Sequence, residues 1–216
     1  DKFHVVGLDV KYPQGAEKML IYAISGRKVP PGGLPLDVGV VVLNAGTSRA
    51  IYDAVYEGMP LIERVVTVTG AVKRPSNLLT RIGTPASFLI EKAGGPAGDI
   101  GKIISGGPMM GIAQYTDEFP VVKGTSGILL QLRQDVVTDE IGTCIRCGRC
   151  VDACPMNLMP NLIYGAVTNN RPDLAAAYNV MDCFECGCCS YSCPAKLPIV
   201  QMIRVGKALV KKMSKK

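Results

Sequence analysis

Eight of the nine cysteines fall into two runs of identical spacing. Cys144, Cys147, Cys150 and Cys154 are followed by Pro155, and Cys183, Cys186, Cys189 and Cys193 by Pro194. The pattern CxxCxxCxxxCP places three thiolates on one tight loop, where they can cap three corners of an iron–sulfur cubane. The fourth, turned away by its proline, reaches the cluster of the other loop. The spacing therefore predicts two 4Fe-4S clusters, one on Cys144, Cys147, Cys150 and Cys193, the other on Cys183, Cys186, Cys189 and Cys154. Zinc takes four tetrahedral ligands, usually as separated CxxC pairs, and would leave the third and fourth cysteine of each run without a role. A disulfide scaffold is the habit of small secreted chains, whereas these cysteines occupy the last third of 216 residues and a signal peptide is not expected. Cys188 fits no ligand position and reads as a small buried residue. Gly148 and Gly187, inside the runs, let the backbone approach sulfur or simply turn tightly. The first run looks polar and exposed at Arg146 and Arg149, the second more apolar at Phe184 and Cys188.

The rest of the chain must position these loops. Its length allows two or three small domains, and 48% hydrophobic residues are enough for real cores. No apolar run approaches the roughly 20 residues of a membrane helix, so a soluble or peripheral protein is expected, and unpaired thiolates imply a reducing compartment. The formal charge of +6 is a property of the tail: no acid follows Glu185, and the seven Lys and Arg residues beyond it leave the remainder near −1. The chain starts at Asp1 without a methionine, so an upstream portion is expected.

Between the runs, Leu158, Leu162, Ile163 and Ala166 are spaced as one helix and Pro172 to Val180 as a second, which points to a helical ferredoxin. Leu197 to Val210 reads as an amphipathic helix with Ile199, Met202, Ile203 and Leu209 inward and its basic residues outward, toward solvent, anionic lipid or an acidic carrier. Upstream, residues 1–62 read as α/β. Phe3, Val5 and Val6 suggest a strand, Ala16 to Ser25 a helix, and Val38 to Leu43 a strand buried on both faces. Thr47 or Ser48 caps a helix running to Tyr56. The polar turn Asn44 to Ser48 lies where α/β folds bind ligands, but lacks the glycine fingerprint of a phosphate cradle.

Residues 63–114 read as a small β-grasp module. Val65 to Thr69 and Leu78 to Ile82 form its hairpin, a helix starting at Thr84-Pro85 carries Ala86, Leu89, Ile90 and Ala93, and Ile103-Ile104 returns as a strand. It offers no acid/base pair or nucleophile, hence a scaffolding or docking role. Residues 115–138 read as a hairpin and linker, with Val121-Val122 and Ile128 to Leu132 flanking a glycine turn. Residues 139–216 hold the two cysteine runs. The fold class expected is thus α+β and multidomain.

Four segments together carry a family resemblance: Cys144 to Met156, Met181 to Ala195 with its second CP, Lys11-Tyr-Pro-Gln-Gly-Ala-Glu17 and Gly107-Pro-Met-Met-Gly111. They resemble the C subunit of the Rnf electron transport complex, itself similar to the NADH-oxidising flavoprotein subunit of respiratory complex I. The resemblance implies a partial FMN-type flavoprotein domain, a soluble-ligand-binding (SLBB) β-grasp domain and a two-cluster helical ferredoxin domain. It also implies an iron–sulfur subunit of a ferredoxin:NAD oxidoreductase that couples electron flow to ion translocation, and no catalytic side chain in this chain. The implied partners are an iron–sulfur B subunit, membrane subunits, ferredoxin and NAD, with no nucleic acid, at the cytoplasmic side of the inner membrane. Asn44 and Ser48 correspond to a turn beside FMN, and Lys11 to Glu17 to a segment near it. The family's Gly-rich segment that holds most of the FMN and nicotinamide lies upstream of these residues, so this chain alone is not expected to hold flavin tightly. The cobalamin reductase of bacterial microcompartments shares the architecture, and a zinc-stabilised scaffold is the non-redox alternative.

Overall fold

The computed structural model describes residues 3–136 and 140–213. They form two compact units, one from residues 1–42 together with 140–216, the other from Leu43 to Asp139.

The second unit is built on a mixed five-stranded sheet. Its strands are β1 (Glu63–Gly70), β2 (Ser76–Arg81), β3 (Ile100–Ser105), β4 (Ile112–Gln114) and β5 (Gly127–Leu132), in the order β2-β1-β5-β3-β4. β1 pairs antiparallel with β2, opposing Val66 to Leu78, and parallel with β5, opposing Val68 to Ile128. β3 runs antiparallel to both β5 and β4. Period-two alternation in β1 sends Val66 and Val68 inward, while Thr67 faces out and hydrogen-bonds Asn77 across the hairpin at 2.8 Å. The buried faces of β1 and β5 pack on helix α3 (Ala86–Lys92) through Ala86, Leu89, Ile90 and Ala93. The expected hairpin at Phe119 to Leu132 is corrected here. Val121 is buried under the sheet as part of an irregular segment, and β5 is the central strand, because Ile128 and Leu130 bury more fully between β1 and β3 than they would at an edge.

In the same unit, helix α2 (Ala45–Tyr56) follows Asn44. The cap is Asn44, whose side chain accepts from the Gly46 N–H at 2.9 Å, and not Thr47 or Ser48 as expected; Ser48 Oγ instead donates to the Asn44 carbonyl. The two-face-buried strand expected at Val38 to Leu43 does not form. Pro35–Val38 is a 3-10 turn, Val41 and Leu43 are exposed, and the described residues supply no neighbouring strand to cover them. The strand expected at Phe3 to Val6 is likewise absent, and residues 3–11 are exposed without regular structure.

The first unit is helical. Its elements are α1 (Glu17–Ser25), α4 (Arg149–Asp152), α5 (Pro160–Thr168), α6 (Pro172–Ala177), α7 (Cys188–Tyr191) and α8 (Ile199–Met213). α1 ends at Gly26 in the left-handed region, as expected of its sequence. Pro160 and Pro172 open α5 and α6 at the first helical position, where the missing N–H costs nothing. One core gathers Ile163, Ala166 and Val167 of α5, Ala175 of α6, Val180, and Ile199, Val200 and Ile203 of α8, and it continues into buried Cys150, Cys189 and Cys193. α8 lies so close to α5 that a Cβ on Gly206 would stand 2.6 Å from Val167 Cγ2. Among the described residues no helix is long and apolar enough to cross a membrane.

Candidate iron–sulfur centre

The two cysteine runs fold alike, offset by 39 positions (144 to 183). In each, the residue before the second cysteine has a positive φ, Arg146 at 55° and Glu185 at 63°. The glycine after it caps a one-turn helix from the left-handed region, Gly148 at 79° before α4 and Gly187 at 87° before α7. Glycine is the residue that holds this conformation without strain, so the tight turn is reason enough for it there. After each Cys-Pro, Asn157 and Lys196 again turn with φ of 53°, and buried Leu158 and Leu197 lead into α5 and α8.

The repeats interlock. Gly142 N–H donates to the Ala195 carbonyl at 3.0 Å, holding the segment after Cys193 against the first loop. Ser192 Oγ donates to the carbonyls of Arg149 and Cys189 and so ties α7 to α4. As a result Cys144, Cys147, Cys150 and Cys193 line one cavity with Asn161, Leu197 and Ile199. Burial pushes the Cys150 thiol up, and charge on Cys193 and Cys144 adds to it. On the other side burial pushes Cys189 up to about 12, with charge on Cys183, Cys186 and Cys154 adding to it. Cys183 also rises through burial, with Cys154 and Cys186 beside it, opposed by the Glu185 N–H at 3.3 Å from its Sγ and by Lys207. Each fourth cysteine therefore stands with the three of the opposite run.

Thiols crowded and buried in this way ionise reluctantly unless a cationic centre replaces their protons. The donor set, four sulfurs in each group, fits such a centre. Among the described residues no three His, Cys, Asp or Glu side chains converge closely enough to share one metal ion. Thiolates that cap the corners of a cubane are held further apart than the four ligands of one tetrahedral zinc. Cys188 is half-buried, less enclosed than expected. Burial first, then a hydrogen bond with Cys186, raises its thiol to about 11.

Other residues at the second loop escaped the pattern reading. Tyr12 Oη donates to the Cys186 carbonyl at 2.5 Å, and Gly32 N–H to Asp182 Oδ1 at 3.1 Å, so the amino-terminal segment is laid on this loop. Lys207 of α8 is not turned to solvent, and Arg204, though partly exposed, is drawn onto the same loop. Lys207 Nζ lies 2.7 Å from Glu185 Oε1 and also donates to the Cys183 carbonyl, and Arg204 Nε lies 2.8 Å from Glu185 Oε2. Burial alone would raise the Glu185 carboxyl, but these two cations hold it below the usual range. The available signal was Glu185 itself, an acid inside a loop that faces two cations three positions apart on one helix. Asn44 and Ser48 stand exposed at the start of α2 in the other unit.

Comparison with known families assigns each region in turn. Residues 1–53 match the Nuo51 FMN-binding domain, 65–113 the SLBB domain and 136–194 the 4Fe-4S dicluster domain. The C subunit of the proton-translocating ferredoxin:NAD(+) oxidoreductase complex of Clostridium ljungdahlii is 52% identical over 211 residues, 96% of this chain and 46% of that protein. Its counterpart in the Na(+)-translocating complex of Acetobacterium woodii is 46% identical over 207 residues, 95% of this chain and 47% of that one. The C subunit of the ion-translocating oxidoreductase complex of Methanosarcina acetivorans is 45% identical over 198 residues, 92% of this chain and 44% of its own length. The chain spans about half the length of the curated relatives it matches, and over that half it is a homologue of the C subunits of the Rnf-type ion-translocating ferredoxin:NAD oxidoreductases.

Proposed function

We propose that this chain is the electron-relaying part of a C subunit, with two 4Fe-4S clusters held by Cys144, Cys147, Cys150 and Cys193 and by Cys183, Cys186, Cys189 and Cys154. The observation that supports this most strongly is the crossed grouping of the cysteines, each run completed by the fourth residue of the other. When bound, the clusters supply one-electron transfer at fixed separation, between a flavin on the amino-terminal side and a membrane-bound partner. The protein's own residues hold and shield. Thiolates anchor the clusters, Ile163, Leu197, Ile199 and Ile203 keep water from the space between the loops, and backbone N–H groups such as that of Glu185 stabilise charge on sulfur. No side chain is needed as acid, base or nucleophile.

In the whole subunit, Asn44 and Ser48 at the start of α2 contribute to an FMN site whose remaining contacts come from residues outside this sequence, and NAD is a substrate of the complex. The partners are an iron–sulfur B subunit, the membrane subunits and, through the complex, ferredoxin, with the chain peripheral on the cytoplasmic side of the membrane. Iron and labile-sulfide analysis of anaerobically purified protein tests the relay: about eight of each per chain are expected. A colourless protein holding only zinc would refute it.

A further inference from the structure

The two loops share one backbone but differ in what holds them, and the difference is electrostatic. At the matching left-handed position the first loop carries Arg146, exposed and without an ion-pair partner among the described residues, whereas the second carries Glu185, which is clamped from α8. Lys207 is the residue that reaches furthest in. Its side chain is only 18% exposed, and its ammonium touches both the Glu185 carboxylate and the carbonyl of Cys183, one of the proposed ligands. Arg204, one turn earlier on α8, takes the other carboxylate oxygen. Two cations and one anion thus sit against a loop whose thiols are mostly buried, where charge is screened less than at a surface.

We propose that Lys207, with Arg204 and Glu185, is a positioning and tuning device for the second loop: it fixes the loop to α8 and sets the reduction potential of the cluster on Cys183, Cys186, Cys189 and Cys154 independently of the other. This rests on the two-cluster reading. A cation near a cluster favours the state that has gained an electron, and an anion disfavours it. Removing either partner of one ion pair therefore moves the potential in opposite directions. A purely structural clamp does not behave so: breaking it from either side loosens the same loop and gives the same change.

The test is an EPR-monitored redox titration of the full-length subunit, with the second-loop signal identified as the one lost in Cys183→Ser. Lys207→Met should move the midpoint of that signal to more negative potential, and Glu185→Gln to more positive. Lys207→Arg should restore it, and the first-loop midpoint should stay in place in all three. The proposal is overturned if both variants shift the signal in one direction, if both clusters shift together, or if neither moves while iron content stays full. Should a variant lose its iron, the milder Arg204→Gln, which removes a cation that touches no ligand residue, must still give a negative shift, and no shift overturns the idea. A wild-type protein without clusters would bring this inference down together with the relay. A full iron content with unmoved potentials would remove this inference alone.

Discussion

The two cysteine loops are near copies in backbone and unlike in surroundings. In the first, the whole stretch from Ile141 to Cys147 is exposed, including the proposed ligands Cys144 and Cys147, and no ion pair among the described residues holds it. In the second, Cys186 and Cys189 are buried, Tyr12 covers the Cys186 carbonyl, and Glu185 is gripped by Lys207 and Arg204. A repeated motif therefore preserves backbone geometry, with Cys150 and Cys193 buried as well, while its flanks leave the entry of the first loop exposed and hold the second loop more closely. Enclosure, local charge and hydrogen bonds to sulfur are the variables that move cluster potentials, so the two proposed clusters need not be equal in potential.

The strongest way to break the comparison is to remove the residues that cross between the loops. Cys154→Ser should abolish or alter the EPR signal of the second-loop cluster, and Cys193→Ser that of the first, each sparing the other. Damage confined to the run that carries the substitution would show that the ligands do not cross.

A step smaller is the wedge between the helices that follow the two loops. Gly206→Ala puts a methyl group 2.6 Å from Val167 Cγ2 and should cost about 1–3 kcal/mol as overpacking, more than the helix propensity gained. Gly165→Ala on α5, with open space at its Cβ, should instead stabilise by about 0.5–1 kcal/mol. Denaturant melts of the two variants measured side by side decide this, and equal effects would contradict the close α5–α8 approach.

Exposure makes a kinetic prediction. On treatment with an iron chelator the first-loop signal should decay several-fold faster than the second, since Cys144 and Cys147 are open to solvent. Smallest is Tyr12→Phe, which deletes one hydrogen bond to the second loop. It should cost about 0.5–1.5 kcal/mol, narrow the gap in chelation rate between the loops and leave the first-loop signal unchanged.

The proposed ligands could be picked out because a cubane demands thiolates at short fixed spacings, and such a spacing is written locally. The helices after them were legible for a similar reason: prolines and apolar spacing mark α5, α6 and α8 within single segments. Val38 to Leu43 misled because a continuous apolar run means a buried strand only where neighbouring strands exist, and the described residues hold none for it. Ile128 to Leu132 was read as half of a hairpin because the true partners of that strand, β1 and β3, lie far away in sequence. Lys207 escaped for the same reason. Amphipathic spacing assigns a lysine to the solvent face, and only the fold shows that Glu185, 22 positions earlier, meets it there.

Anomalous scattering at the iron edge from crystals of the anaerobically prepared holoprotein tests the account most directly. It should locate about eight irons in two cubes, with Cys193 Sγ bonded to the cube on the first loop and Cys154 Sγ to the cube on the second. Signal at the zinc edge only, or each cube closed by the fourth cysteine of its own run, would contradict it.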